Sequence, residues 1–117
     1  MKYIRQPLRH ELKSHIDYAD YLPDDILGSN IDFVQEINGH FLVIEFKQLN
    51  EGIGTGQRIL LNHLANLPEF CVLLYETGPN KQTAYEFPDM EIIALSKEDF
   101  INFIRNWTYT MRNNNGN

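Results

Sequence analysis

Asp32, Glu45 and Lys47 are the residues of this chain whose types and spacing suit chemistry together. One residue separates Glu45 from Lys47, so on an extended strand both side chains leave the same face. Two carboxylates held close to one another repel, and a divalent cation relieves that repulsion. Magnesium takes one or two hard carboxylate oxygens and completes its shell with waters and substrate phosphate, and manganese can substitute for it. A lysine beside such a pair can hold a water or a phosphate oxygen at the metal's edge, or take part in proton transfer.

The stretch over residues 30–47, NIDFVQEINGHFLVIEFK, must bring Asp32 to the other two. Two runs rich in Ile, Val and Phe flank Asn38-Gly39, the dipeptide that favours a two-residue type I′ hairpin turn. That turn pairs Ile37 with His40 and, counting outward, sets Asp32 opposite Glu45. One face then carries Asp32, Val34, Glu36, Phe41, Val43, Glu45 and Lys47, and the other carries Ile31, Phe33, Gln35, Ile37, His40, Leu42, Ile44 and Phe46. The second face is expected to be core. The first also fits the wet face of an ordinary amphipathic hairpin, but its Val34, Phe41 and Val43 predict that it is covered, and unpaired acids buried there would be costly.

Asp32, then Glu45-Phe46-Lys47 thirteen positions on, then Gln57 opening a helix, resembles the PD-(D/E)XK nuclease superfamily, most closely its small VRR-NUC and Holliday-junction-resolvase-like members. The likeness spans residues 31–76. Ile31 stands where the family has proline; the chain's Pro-Asp pairs are Pro23-Asp24 and Pro88-Asp89. The resemblance implies that Asp32 and Glu45 hold one or two divalent ions, that Lys47 orients or activates the attacking water, and that Gln57 reaches in from the helix. Some resolvase-like members add a glutamate from the first helix, which points to Glu11 as a further metal ligand, with His15 or His10 behind it. The implied fold is α/β of the α+β type: a small mixed sheet flanked by helices, with a restriction-endonuclease-like αββαβ core and a C-terminal helix.

A chain of 117 residues with 43% hydrophobic content is one domain with one core. We expect that domain over residues 1–110 and a polar, disordered tail over 111–117. No apolar run approaches the ~18 residues of a membrane helix, and the amino terminus lacks the apolar segment of a signal peptide, so a cytoplasmic location is expected. Cys71 is the single cysteine, which excludes an internal disulfide and a cysteine-rich zinc site; its apolar surroundings predict packing rather than reactivity. The net charge of −6 weighs against simple electrostatic binding to nucleic acid. Bound metal would shift that balance locally, and Arg5, Arg9 and Arg58 are candidates for phosphate contact.

In chain order, residues 6–20 read as a helix, with Pro7 in its first turn and Leu8, Leu12, Ile16 and Ala19 as its apolar stripe. Residues 21–29 are a connector with room for a short edge strand at most. Residues 48–56, QLNEGIGTG, form a glycine-rich loop without P-loop spacing. Thr55 is expected to cap the helix that follows, with Ile59, Leu60, Leu64 and Leu67 buried and Gln57 in the first turn, where the helix dipole favours phosphate or a metal-bound water. Pro68 ends this helix. Residues 70–76 are a buried strand, parallel to the Glu45 strand by the crossover rule. Strands follow near 82–87 and 91–95, and Ser96 caps a helix to about Thr108. Phe100, Phe103, Ile104 and Trp107 form its stripe, which suits core or a homodimer surface.

Two kinds of function follow. One is a magnesium-dependent endonuclease acting on duplex or branched DNA, where a homodimer would suit the cutting of two strands. The other is a catalytically inactive protein of the same fold, serving as a binding or regulatory subunit through the aromatic helix. A different magnesium-dependent phosphoesterase is a third, weaker reading.

Overall fold

The computed structural model describes residues 31–114. The helix expected over residues 6–20, with Glu11, His10 and His15, and the connector after it lie outside them. Asn38 and Gly39 both take positive φ, 52° and 83°, and the chain folds back on itself as β1 (Phe33–Ile37) and β2 (His40–Gln48). The pairing runs from Ile37 opposite His40 to Phe33 opposite Ile44, the expected register.

After β2 the chain loops to helix α1 (Thr55–Ala65) and returns as β3 (Phe70–Thr77), which pairs with β2 in parallel. Strands β4 (Gln82–Glu86) and β5 (Glu91–Ala94) then add antiparallel, and helix α2 (Lys97–Asn113) follows. The result is α+β: a five-stranded mixed sheet, ordered β1-β2-β3-β4-β5, with a helix packed on each face. The middles of β2 and β3, Leu42 to Glu45 and Val72 to Tyr75, are buried on both faces, as befits central strands in a parallel pair.

On one face Leu42, Ile44, Leu73, Tyr75, Ala84 and Ala94 meet Phe100, with Phe103, Ile104 and Trp107 packed beside them. The aromatic stripe of α2 packs on the sheet, with Phe100 buried and Phe103, Ile104 and Trp107 partly so. The Tyr75 and Phe100 rings stack at 4.2 Å and 14°. On the opposite face Val43, Val72, Leu74 and Phe87 pack under Leu61, with Leu64 and Ala65 alongside.

Three local expectations are corrected. Gly54, not Thr55, is the N-cap of α1, and no side chain caps it. The helical hydrogen bonds already begin with Arg58 N–H donating to the Gly54 carbonyl, which puts Thr55 inside the first turn. The inward stripe of α1 is Leu61, Leu64 and Ala65; Ile59 is 52% exposed, and Leu67 lies past the helix end. Leucines and isoleucine on adjacent sides of this helix make two stripes readable from sequence, and packing against Val43 and Val72 selects one.

Helix α2 also runs on through Asn113, so Met111 to Asn113, assigned to the tail, are helical. The cause is carbonyl capping. Asn113 Nδ2 donates to the Tyr109 carbonyl at 2.7 Å, and Asn38 Nδ2, from the hairpin turn, donates to the Met111 carbonyl at 2.9 Å. Ser96, by contrast, caps the start as expected, its hydroxyl accepting from Asp99 N–H at 3.1 Å.

Candidate active site

Glu45 sits on β2 with hydrogen-bonded neighbours on both sides, on the face that α1 covers. It is 3% exposed, as buried as the valines and leucines around it. One carboxylate oxygen, Oε2, lies 3.4 Å from Lys47 Nζ; the other, Oε1, is buried with no hydrogen-bond partner among the described residues. An orphaned buried carboxylate oxygen is costly, so a sequence keeps one only where something else offsets it.

Asp32 reaches this point by ending the hairpin ladder. Hydrogen-bonded and non-bonded pairs alternate along an antiparallel ladder, so the Phe46 N–H would ordinarily donate to the Ile31 carbonyl. Here Asp32 Oδ2 accepts it instead, at 2.9 Å, and β1 pairing stops at Phe33. The Asp32 side chain is thereby held at the Glu45–Phe46 peptide of β2, with the residue itself exposed. One acid of the pair is sunk in the sheet and the other faces solvent.

Lys47 is only 17% exposed at its side chain and lies between two carboxylates: Glu45, and Glu51 Oε2 at 3.9 Å. Glu51 belongs to the loop after β2, where Asn50 and Gly52 adopt positive φ of 71° and 79° and turn the chain back. Its second oxygen accepts from Gln48 N–H at 2.8 Å, while Glu51 N–H donates to the Gln48 carbonyl at 2.9 Å. Glu51 went unnoticed in the sequence, although the turn-forming Asn50 and Gly52 beside it were the available signal.

The parallel register places Glu76 beside Lys47, and Thr83, which is buried, beside Glu76. These two residues follow from pairing across three strands, which hairpin counting does not reach. Gln57 is the third residue of α1 and half-buried. Because α1 carries the chain from the end of β2 back to the start of β3, its first turn lies at the end of the sheet that bears Lys47. A shallow cleft at the C-terminal ends of β2 and β3 is lined by Gln48, Leu49, Thr77, Gly78 and Pro79. Ligands of sheets with parallel strands tend to bind at such ends, and this cleft abuts Lys47 without containing Asp32 or Glu45.

Among the described residues, no three His, Cys, Asp or Glu side chains come together to hold a metal ion. The described sheet supplies a pair of carboxylates, which suits an ion that keeps waters and takes phosphate oxygens more than one caged by protein. The orphaned Glu45 Oε1 fits a cation. Glu11, the further ligand that the resemblance implies, lies outside the described residues.

Cys71 is remote in character from this site. It packs on the aromatic face, and its thiol donates to Glu86 Oε2 at 3.8 Å. Burial, then the Glu86 charge and that hydrogen bond, push the thiol up to about 12. It remains a neutral thiol at ordinary pH and is no nucleophile. No helix among the described residues is long and apolar enough to cross a membrane. Comparison with protein-family models, with curated proteins and with solved structures finds no match to this chain.

Proposed function

We propose that this chain is a metal-dependent nuclease of the PD-(D/E)XK type that hydrolyses phosphodiester bonds in DNA, with duplex or branched DNA as its substrate. The observation that carries the proposal is Glu45: a carboxylate buried in a central strand, with one oxygen unpaired among the described residues, the other on Lys47, and the exposed Asp32 held at the Glu45–Phe46 peptide. A packed core has no use for that arrangement, whereas a divalent cation between the two acids offsets its cost.

In this reading Asp32 and Glu45 hold magnesium, and Glu11 is the candidate for a further ligand. The metal supplies Lewis acidity and a water acidified enough to attack phosphorus at neutral pH. Lys47 positions that water from the buried side. Gln57, in the first turn of α1, contributes an amide at the end of a helix whose dipole favours anions. The solvent-facing side of Asp32 is where substrate phosphate arrives.

Calorimetric titration of manganese or magnesium into the wild type and into Glu45→Ala tests this, with labelled junction, duplex and single-stranded DNA incubated in parallel. We expect binding heat in the wild type, none in Glu45→Ala, and metal-dependent cleavage of one of the three substrates. Lys47→Ala should lower cleavage by about a hundredfold or more while the fold persists. Full cleavage by that variant removes Lys47 from the mechanism, and absence of metal binding in the wild type defeats the proposal.

A further inference from the structure

Lys47 has two seats. Its ammonium lies 3.4 Å from Glu45, the buried acid, and 3.9 Å from Glu51, which the loop after β2 presents. As placed, the lysine is already a cation at the carboxylate that a metal would use. A divalent ion arriving at Asp32 and Glu45 must compete with it, because a like charge that close is repelled.

Glu76 neighbours Lys47 across β3, but among the described residues the acids within ion-pair distance of the ammonium are Glu45 and Glu51, and with Asp32 these charges sort into two neutral sets. Asp32 and Glu45 together match one divalent cation, and Lys47 and Glu51 match each other. The loop is built to keep Glu51 within reach: two residues with positive φ flank it, and its second oxygen and its own N–H both bond to Gln48. That anchoring leaves Oε2 directed at Lys47.

Resting on the proposed function, we propose that Glu51 is a positioning residue, the alternative counter-ion that receives the Lys47 ammonium when a divalent cation takes Asp32 and Glu45. Glu51 touches neither metal nor substrate in this scheme. It acts through Lys47, drawing the ammonium toward the loop, so that metal and lysine occupy the site together.

The test is a metal-affinity cycle by calorimetry with manganese, on the full chain, in four proteins: wild type, Glu51→Gln, Lys47→Met, and the double variant. Glutamine at 51 keeps an oxygen for the Gln48 N–H and removes only the charge, and methionine at 47 keeps the apolar stem. Circular dichroism and thermal melts confirm that each variant is folded. Glu51→Gln should weaken manganese binding by about two- to five-fold, the range of an exposed ion pair. Lys47→Met should tighten it, since the competing ammonium is gone, and in that background Glu51→Gln should change nothing.

If Glu51→Gln weakens binding equally with and without Lys47, Glu51 acts on the metal directly through its charge and the inference is overturned. Unchanged affinity in the Glu51→Gln single variant, or weaker binding in Lys47→Met, also overturns it while leaving the metal site intact. No metal binding in any of the four proteins overturns both this inference and the reading beneath it.

Discussion

The two faces of β2 and β3 are made by the same strands at the same depth, and they are filled in opposite ways. On the α2 face Leu42, Ile44, Leu73 and Tyr75 are buried, and Tyr75 stacks on Phe100. On the α1 face Val43, Val72 and Leu74 are buried just as well, but the next inward position along β2 after Val43 is Glu45. One face is optimised for contact. The other gives up a core position to a carboxylate with an orphaned oxygen and places a lysine beside it. The contrast teaches that the strands could have been apolar on both sides, so the charge at Glu45 needs an explanation outside packing.

The largest effect belongs to the contact face. Phe100→Ala removes one partner of the ring stack and leaves a hole between Tyr75 and Ala94, which should cost about 3–5 kcal/mol in urea unfolding. For a domain of this size that is a large part of its whole stability. A loss well under 1 kcal/mol would show that the two faces are not built on different principles.

The second effect has the opposite sign. Glu45→Leu replaces one member of the ion pair, a buried carboxylate whose second oxygen is unpaired among the described residues, by an apolar side chain of similar size on a face lined by Val43, Leu61 and Leu74. Unfolding without added metal should show a gain of about 1–3 kcal/mol, while manganese binding is lost. Lys47 keeps Glu51 as a partner in this variant. Destabilisation would mean that the Glu45 to Lys47 pair supports the fold, and the contrast between the faces would collapse.

How far this contrast was legible in the sequence depends on the range of each interaction. The hairpin register was legible as far as Phe33 opposite Ile44 because Asn38-Gly39 fixes it locally; the expected pairing of Asp32 with Glu45 is replaced by the Asp32 carboxylate accepting the Phe46 N–H. The parallel placement of β3 was legible from the strand, helix, strand order. The facing stripe of α1 was not, because Ile59, Leu60, Leu61 and Leu64 allow two orientations until the sheet chooses. Nor were Glu51, which needs the loop's left-handed residues to swing it back, or Glu76 and Thr83, which need register across β3 and β4. The end of α2 is not legible locally because one of the caps on its last carbonyls comes from Asn38, far away in sequence.

A smaller test addresses how α2 is held against its face. Ser96→Ala removes the hydroxyl that accepts the Asp99 N–H and should cost about 1 kcal/mol. The same variant should leave manganese affinity unchanged, since α2 lies across the sheet from Glu45. Coupled loss of both would tie the faces together through the sheet.

The smallest effect is a proton on the contact face, at Cys71. Burial holds the thiol neutral, with its folded value raised to about 12 from an ordinary 9.0. The unfolded chain therefore releases the proton first as pH rises, and by linkage stability falls where the folded state holds more protons than the unfolded one. The Cys71 contribution is fully present below about 9 and is lost as pH climbs from there toward 12. Wild type and Cys71→Ala should differ in the slope of stability against pH within that window and run parallel below it. Alkylation by iodoacetamide at pH 8.5 should likewise be slower in the folded protein than in urea by about a hundredfold or more, since the thiolate is the reactive form. Equal rates would mean that the contact face opens to solvent at Cys71, and that its burial is no firmer than the edge of the site opposite.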